Sequence, residues 1–267
     1  MLILIKGAGD LATGIACRLF QTGFSVVMTE IPQPTTVRCT VAFSRAVYEE
    51  QTAVEGIAAK LAVSPGDALE LTKKGLIAVL VDPEGKSVSY LNPCGVVDAI
   101  LAKRNLGTAI TDAPVVIGAG PGFTAGLNCH AAVETRRGHD LGRVLYAGSP
   151  ASNTGIPGEI GGYTTQRLLR APADGLFSPS AVIGDLVSAG QVVGFVEGIP
   201  VAAQISGVLR GLLPGGTPVH KGMKAGDIDP RCEVSHCLTV SDKARAIGGG
   251  VLEGLLHFLK KEGIHVL

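Results

Sequence analysis

Short apolar runs and polar turns succeed one another along this chain. Leu2-Ile-Leu-Ile5 is wholly apolar and ends at Lys6 and a glycine-rich turn. Ser25–Thr29, Leu76–Val81 and Val115–Ile117 are further runs of strand length. Runs without alternation predict strands buried on both faces, as in a parallel sheet. Between them the spacing predicts a helix after Gly9 and another over residues 46–62, with Val47, Val54, Ile57, Ala58 and Leu61 apolar. Pro65-Gly66-Asp67 opens a further helix to about Lys74, and Asn92-Pro93 one that carries Val96, Val97, Ile100 and Leu101. Pro83–Lys86 reads as a turn into a short strand, Ser87–Leu91. Strands alternating with helices predict a mostly parallel sheet with helices on its faces.

The first turn carries the most chemistry. Gly7-Ala8-Gly9-Asp10-Leu11-Ala12 has the spacing G-x-G-x-x-A where a strand passes into a helix, and the second strand ends on Glu30. In a dinucleotide fold the first glycine makes the turn and the second admits a pyrophosphate. The alanine lets helix and strand close up, and the acid accepts from a ribose hydroxyl. Gly7, Gly9, Asp10, Ala12 and Glu30 are therefore candidate cofactor-binding residues, although Asp10 puts a carboxylate at the mouth of an anion site. A second cluster, Gly118-Ala-Gly-Pro-Gly122, follows the Val115–Ile117 strand. Gly118 and Gly120 read as a loop at the carboxyl edge of the sheet, where open α/β folds place ligands, or as a turn without one. Pro121 removes an N–H that a phosphate could use.

Residues 130–162 hold the densest polar run, including Glu134-Thr-Arg-Arg-Gly-His139. Arg137 offers a fork for phosphate or carboxylate and His139 a proton shuttle; both are candidate catalytic or ligand residues, against the plainer reading of a hydrogen-bonded loop. Six scattered cysteines without C-x-x-C indicate reduced thiols, and no metal site is expected from Cys129-His130 or from Cys232 with His236-Cys237. Asp227 and Asp229 read as turn carboxylates sooner than as a metal pair. With 23 basic against 23 acidic residues, 4% aromatics and no Trp, nucleic acid is a poor partner. No run reaches the ~18 apolar residues of a membrane span, and none resembles a signal peptide; a soluble, cytoplasmic protein is expected.

Residues 171–202 and 203–234 repeat one another at a lag of 32, bringing Gly175 onto Gly207, Gly184 onto Gly216, Val187 onto Val219 and Gly194 onto Gly226. Gly184-Asp-Leu-Val-Ser-Ala-Gly-Gln191 resembles the turn of biotinyl and lipoyl carrier domains, which are barrel-sandwich hybrids. The hairpin that would carry the modified lysine is Gly198-Ile-Pro-Val-Ala-Ala203, without one, so a scaffold or docking role is expected instead. Three segments are thus expected: a Rossmann-like α/β domain over 1–165, a smaller all-β barrel-sandwich hybrid over 166–235, and a C-terminal helix over 236–267. That helix contains Gly248–Gly250, which would permit close packing, on the first domain in the simplest arrangement.

Over nearly its full length the chain resembles the YqeB-type accessory proteins of selenium-dependent molybdenum hydroxylase systems. The resemblance is carried by Lys6–Gly14, Gly120-Pro-Gly-Phe123, Glu134–His139, Leu141-Gly-Arg143, Asn153-Thr-Gly155 and Lys224–Arg231. It implies a bacterial maturation or cofactor-handling factor whose partners are a molybdenum hydroxylase or other maturation factors. The cofactor stays open between NAD(P) and the molybdenum cofactor nucleotide, since the dinucleotide-like ligand is expected from the glycine turn and not from the resemblance. It brings no catalytic residues, and homo-oligomerisation stays open. Two alternatives stand beside it: an NAD(P)-dependent oxidoreductase of a small metabolite, with Glu30 favouring NAD, and a non-catalytic interaction module.

Overall fold

A computed structural model describes residues 1–264. The chain divides into two compact units. One takes Met1–Pro34, Ala42–Thr154 and the stretch from Val240 onward; the other takes Thr35–Val41 and Gly155–Thr239.

The first unit contains β1 (Leu2–Lys6), α1 (Asp10–Gln21), β2 (Ser25–Glu30), α2 (Ala46–Glu49), β3 (Gln51–Val54), β4 (Ile57–Ala62), α3 (Pro65–Lys73), β5 (Ile77–Val81) and α4 (Ser87–Leu91). It continues with β6 (Gly95–Asp98), β7 (Val115–Ala119), β8 (Ala131–Val133) and β9 (Val144–Leu145), and ends with α5 (Asp242–Lys261). Its nine strands form one sheet in the order β3-β4-β5-β2-β1-β6-β7-β8-β9. The strands from β4 to β8 run parallel to their neighbours, and β3 and β9 close the edges antiparallel. Ile3–Ile5, Val26–Met28, Ile77–Val79 and Val115–Ile117 have no exposed surface, as unalternating runs require.

The expected pairing of a Rossmann-like domain with a barrel-sandwich hybrid is overturned. A Rossmann-like domain needs a helix in each parallel crossover; here β6 to β7 (99–114) and β7 to β8 (120–130) are irregular, and β5 to β6 carries only the five residues of α4. The sheet is large and mixed, and its helices are few. The missing cover comes from the far end of the chain. A Cβ on Gly95 would lie 2.9 Å from Leu255, and one on Gly254 3.2 Å from Ile117, so α5 lies directly on the face of β6 and β7.

Three local expectations also fail. Residues 46–62 form α2 and a β3–β4 hairpin, because Glu55 (φ 50°) and Gly56 (φ 80°) both take positive φ and turn the chain back. Val54, Ile57 and Leu61 fit helical spacing and hairpin spacing equally well. Ser87–Leu91 is the helix α4, and Val96–Val97 belong to the buried strand β6.

The second unit has β10 (Leu168–Arg170), β11 (Gly175–Pro179), β12 (Leu186–Val187), β13 (Val192–Val196), β14 (Ile199–Ala202), β15 (Gly207–Leu212), β16 (Pro218–Val219) and β17 (Lys224–Asp229). These form two antiparallel four-stranded sheets, β10-β17-β15-β12 and β14-β13-β11-β16. The repeat is visible in them. β11, β12 and β13 begin 32 residues before β15, β16 and β17, and each sheet combines the outer two strands of one copy with the short middle strand of the other. Phe177, Val193, Val196, Leu209, Leu212 and Ile228 fill the space enclosed. Among the described residues no helix is long and apolar enough to cross a membrane.

Candidate functional site

The parallel strands of the first unit end together at one edge of the sheet, and β1 delivers the glycine turn there. Gly7 takes φ 95°, and its N–H donates to the Thr29 carbonyl at 2.9 Å. A Cβ on Gly7 would sit 3.0 Å from the Ala99 carbonyl oxygen, so only glycine passes beneath the 99–114 segment. The Ala8 carbonyl accepts from the Ser44 N–H at 2.8 Å and from the Thr13 hydroxyl at 3.3 Å. Gly9 is the N-cap of α1 and brings no side-chain cap. Ala12 is buried at 1% exposure, where α1 meets the sheet.

Glu30 turns back onto this loop. Its Oε2 accepts from the Ala8 N–H at 3.0 Å and its Oε1 from the Ile31 N–H at 2.8 Å. Burial pushes its carboxyl above the usual carboxylate range, and the two N–H donors pull the other way. Each oxygen retains a lone pair for an outside hydroxyl.

The other side of the loop is lined by groups from three elements. Gly14 of α1 faces Ala244 of α5, with a Cβ separation of 2.6 Å if Gly14 carried one, and Gly248 faces Gly14, Ile15 and Arg18. The two helices therefore run in the same sense, and both N-termini meet the carboxyl edge of the sheet. Asp10 lies in the first turn of α1 and Asp242 in that of α5, each stabilising its helix dipole. Arg137 pairs with Asp242 through both nitrogens, at 2.5 and 3.0 Å. Glu134, 7% exposed, follows β8 and accepts from the Arg136 N–H at 2.6 Å and the Ala151 N–H at 2.7 Å.

Lys243 stands among these groups, half-buried. Burial lowers its pKa most and the Arg137 charge lowers it further, while Asp10, Glu134 and Asp242 act in the opposite direction. Sequence reading gives Lys243 no motif, and names Glu134 only within the polar run Glu134–His139. The folding of α5 beside α1 brings Lys243 to the charges of α1 and of the segment after β8.

On the β6 side, Lys6 Nζ donates to Asp112 at 2.8 Å and to the Thr108 hydroxyl at 2.9 Å. That hydroxyl donates in turn to Asp98 Oδ2 at 2.7 Å. Burial raises the Asp98 carboxyl. This chain of contacts fastens the 99–114 segment over the ends of β1 and β6.

The remaining predicted residues are placed differently. Gly118 is filled by the Phe123 ring, which a Cβ would penetrate, and a Cβ on Gly120 would lie 2.7 Å from Thr135 Oγ1. The chain itself occupies the space that both glycines leave. His139 is exposed on the turn after Arg137. The structure thus brings Gly7, Gly9, Asp10, Ala12, Glu30 and Arg137 to one edge.

Asp227 and Asp229 are not turn carboxylates. They lie on β17, at 1% and 0% exposure. Arg167 holds both oxygens of Asp227 at 2.8 and 3.1 Å, and Arg210 bridges Asp227 at 2.8 Å to Asp229 at 3.1 Å. Arg231 closes on Asp229 at 2.5 and 2.9 Å. Burial works to raise the Asp229 carboxyl, but Arg231 and Arg210 outweigh it and hold it down at about 2.

No protein-family model matches the chain. It is 51% identical over 263 residues to the uncharacterized protein YqeB of Escherichia coli (strain K12), an alignment that takes in 98% of this chain. Identity at that level over that length marks the two as homologous. The chain spans about half the length of this relative, 48%. Among solved structures it is similar to an aspartoacylase family protein of Mesorhizobium loti, at 14% identity over 85% of this chain and 83% of that one, TM-score 0.26. It is likewise similar to a succinylglutamate desuccinylase/aspartoacylase of Rhodobacter sphaeroides, at 14% identity over 85% of this chain and 86% of that one, TM-score 0.26.

Proposed function

We propose that this chain is an accessory factor of a molybdenum hydroxylase. In this reading it binds a phosphate-bearing cofactor, dinucleotide-like or the nucleotide form of the molybdenum cofactor, at the carboxyl edge of the nine-stranded sheet. The observation that carries the reading is the Gly7–Gly9 loop. It runs into an α1 N-terminus without a side-chain cap, and Glu30, Thr29, Thr13 and Ser44 hold it rigid. Backbone N–H groups and the positive end of a 12-residue helix suit a phosphate. The lone pairs of Glu30 suit a ribose hydroxyl. Arg137 and Lys243 supply cations at the same edge, and Asp10, Asp242 and Glu134 oppose them, so the residues fit a phosphate that reaches the loop between these charges.

Thermal unfolding with NAD, NADP, CTP and a molybdopterin nucleotide tests the reading. A ligand at 100 times its Kd stabilises by about 2.7 kcal/mol. The cofactor-handling reading expects this shift from the molybdopterin nucleotide, and its loss when Gly9 is replaced by a bulky residue. A shift with NAD alone favours an oxidoreductase. No shift with any of the four rejects nucleotide binding.

A further inference from the structure

The position of Lys243 is costly in three separate ways. It is half-buried, it lies in the first turn of α5, where the helix dipole disfavours a cation, and it shares its surroundings with Arg137. Among the described residues it donates no hydrogen bond and makes no ion pair that would offset this. Nothing in the packing of α5 asks for an amine here: the helix is seated through Ala244, Gly248, Gly250 and Gly254, which lie on its other positions. Groups placed against their own stability concentrate at functional sites.

The charges facing Lys243 show what the amine is for. They are Asp10 from α1, Glu134 after β8, Arg137 beyond it, and Asp242 from α5 itself. Asp10 and Asp242 occupy the first turns of the two helices whose N-termini meet the sheet edge. An anion approaching the glycine loop would meet these three carboxylates, besides Glu30 on the loop itself. Arg137 is already committed to Asp242, through two hydrogen bonds. Lys243 is a second cation beside these carboxylates, and its charge acts against those of Asp10 and Glu134.

We infer that Lys243 is the ligand-contacting cation of the carboxyl-edge site, and that its ammonium donates to a phosphate oxygen of the nucleotide-type ligand. The inference rests on the reading given under Proposed function and deepens it by assigning the phosphate contact. It goes beyond that reading in requiring a flexible amine on α5, and not only backbone N–H groups on α1. It also explains how a loop flanked by Asp10 can accept an anion at all.

The experiment uses the whole chain, with NAD, NADP, CTP, a molybdopterin nucleotide and inorganic pyrophosphate as probes. Lys243 is followed by acetic anhydride labelling and peptide mass spectrometry, and binding by thermal shift, in wild type, Lys243→Met and Lys243→Arg. A probe that stabilises wild type is expected to slow labelling of Lys243 at least tenfold. Lys243→Met is expected to lose that stabilisation while melting, without ligand, no lower than wild type, because a desolvated charge has gone. Lys243→Arg is expected to keep binding and to hold it to higher pH than wild type, since a guanidinium does not deprotonate there. A probe that stabilises wild type and Lys243→Met equally, with labelling of Lys243 unchanged, overturns the inference and leaves the nucleotide reading standing. Failure of every probe to stabilise wild type overturns both.

Discussion

Gly250 of α5 lies against the carbonyl oxygen of Gly142 so closely that a methyl group on its Cα would overlap that oxygen, whereas a methyl on the adjacent Gly249 would meet nothing within 4 Å. Two neighbouring helical glycines thus have opposite reasons to exist. Gly249→Ala is expected to stabilise the chain by up to about 1 kcal/mol, the helix-propensity difference. Gly250→Ala is expected to destabilise it by about 1–3 kcal/mol, because backbone must move to admit the methyl. Urea unfolding midpoints of the two variants check the contrast.

The Arg167–Asp227–Arg210–Asp229–Arg231 ladder ties stability to acid pH. The Asp229 carboxyl sits at about 2 in the folded chain, against an ordinary 3.8. A lowered carboxylate pKa contributes stability that is complete above the unfolded value and lost as pH falls through the folded one. For this shift the contribution is about 2 kcal/mol, disappearing between pH ~4 and ~2. Asp229→Asn is expected to cost about 3–5 kcal/mol at neutral pH, since it strands buried guanidinium groups, and to flatten the acid limb. Urea midpoints measured from pH 6 to 2 would show both effects.

The strands were legible where the sequence is unambiguous. Ile3–Ile5, Val26–Met28 and Val115–Ile117 are too apolar and too short for anything but buried strands, and the 32-residue repeat reappears strand for strand. Three helices were legible too, after Gly9, from Pro65 and near the C-terminus, where α1, α3 and α5 stand. The one expected over 46–62 stops after the four residues of α2, and the one from Asn92-Pro93 gives way to the strand β6. Val54, Ile57 and Leu61 satisfy both periodicities, and the decision fell to the left-handed turn at Glu55-Gly56. The 99–114 segment looks like a crossover yet is held open by long-range contacts from Lys6 to Thr108 and Asp112, which no local pattern announces. At the site, Gly7, Gly9 and Glu30 could be read because their spacing is itself the geometry. Lys243 could not, because it reaches the charges of α1 only through a helix more than two hundred residues away in the chain.

The thiols divide by burial. Burial pushes Cys17 up to about 12 and Cys129 up to about 11, and raises Cys237 as well. Cys232 is exposed. Thiolate is the reactive form, so Cys232 is expected to react first with a disulfide reagent at pH 8, and Cys17 and Cys129 only on unfolding. Labelling followed by peptide mapping gives the order directly.

Gly118 admits Phe123, which is 3% exposed in the core beneath the sheet. If that is its role, Gly118→Ala is expected to destabilise by about 1–3 kcal/mol and to leave any nucleotide-induced thermal shift unchanged. Combining it with Phe123→Ala should cost less than the sum of the two single changes, since the added methyl then has room. A coupling energy of 0.5 kcal/mol or more between such neighbours is the usual scale.

Arg137 and Asp242 form a bidentate pair, with the aspartate side chain 68% exposed. Pairs this open contribute about 0.2–1 kcal/mol. Arg137→Ala is therefore expected to shift the unfolding midpoint only slightly, and exposed His139→Ala less still. That insensitivity makes both useful for function. If Arg137 helps to balance the carboxylates around Lys243, its removal weakens binding of a phosphate-bearing ligand several-fold at unchanged fold stability. Because Arg137 is one of the groups that lower the Lys243 pKa, its removal also lets that amine titrate at higher pH. Ligand affinity measured between pH 7 and 10 should then be lower throughout but decline later in Arg137→Ala than in wild type. An affinity profile identical to wild type would remove Arg137 from the site and leave its bond to Asp242 as a helix-end contact alone.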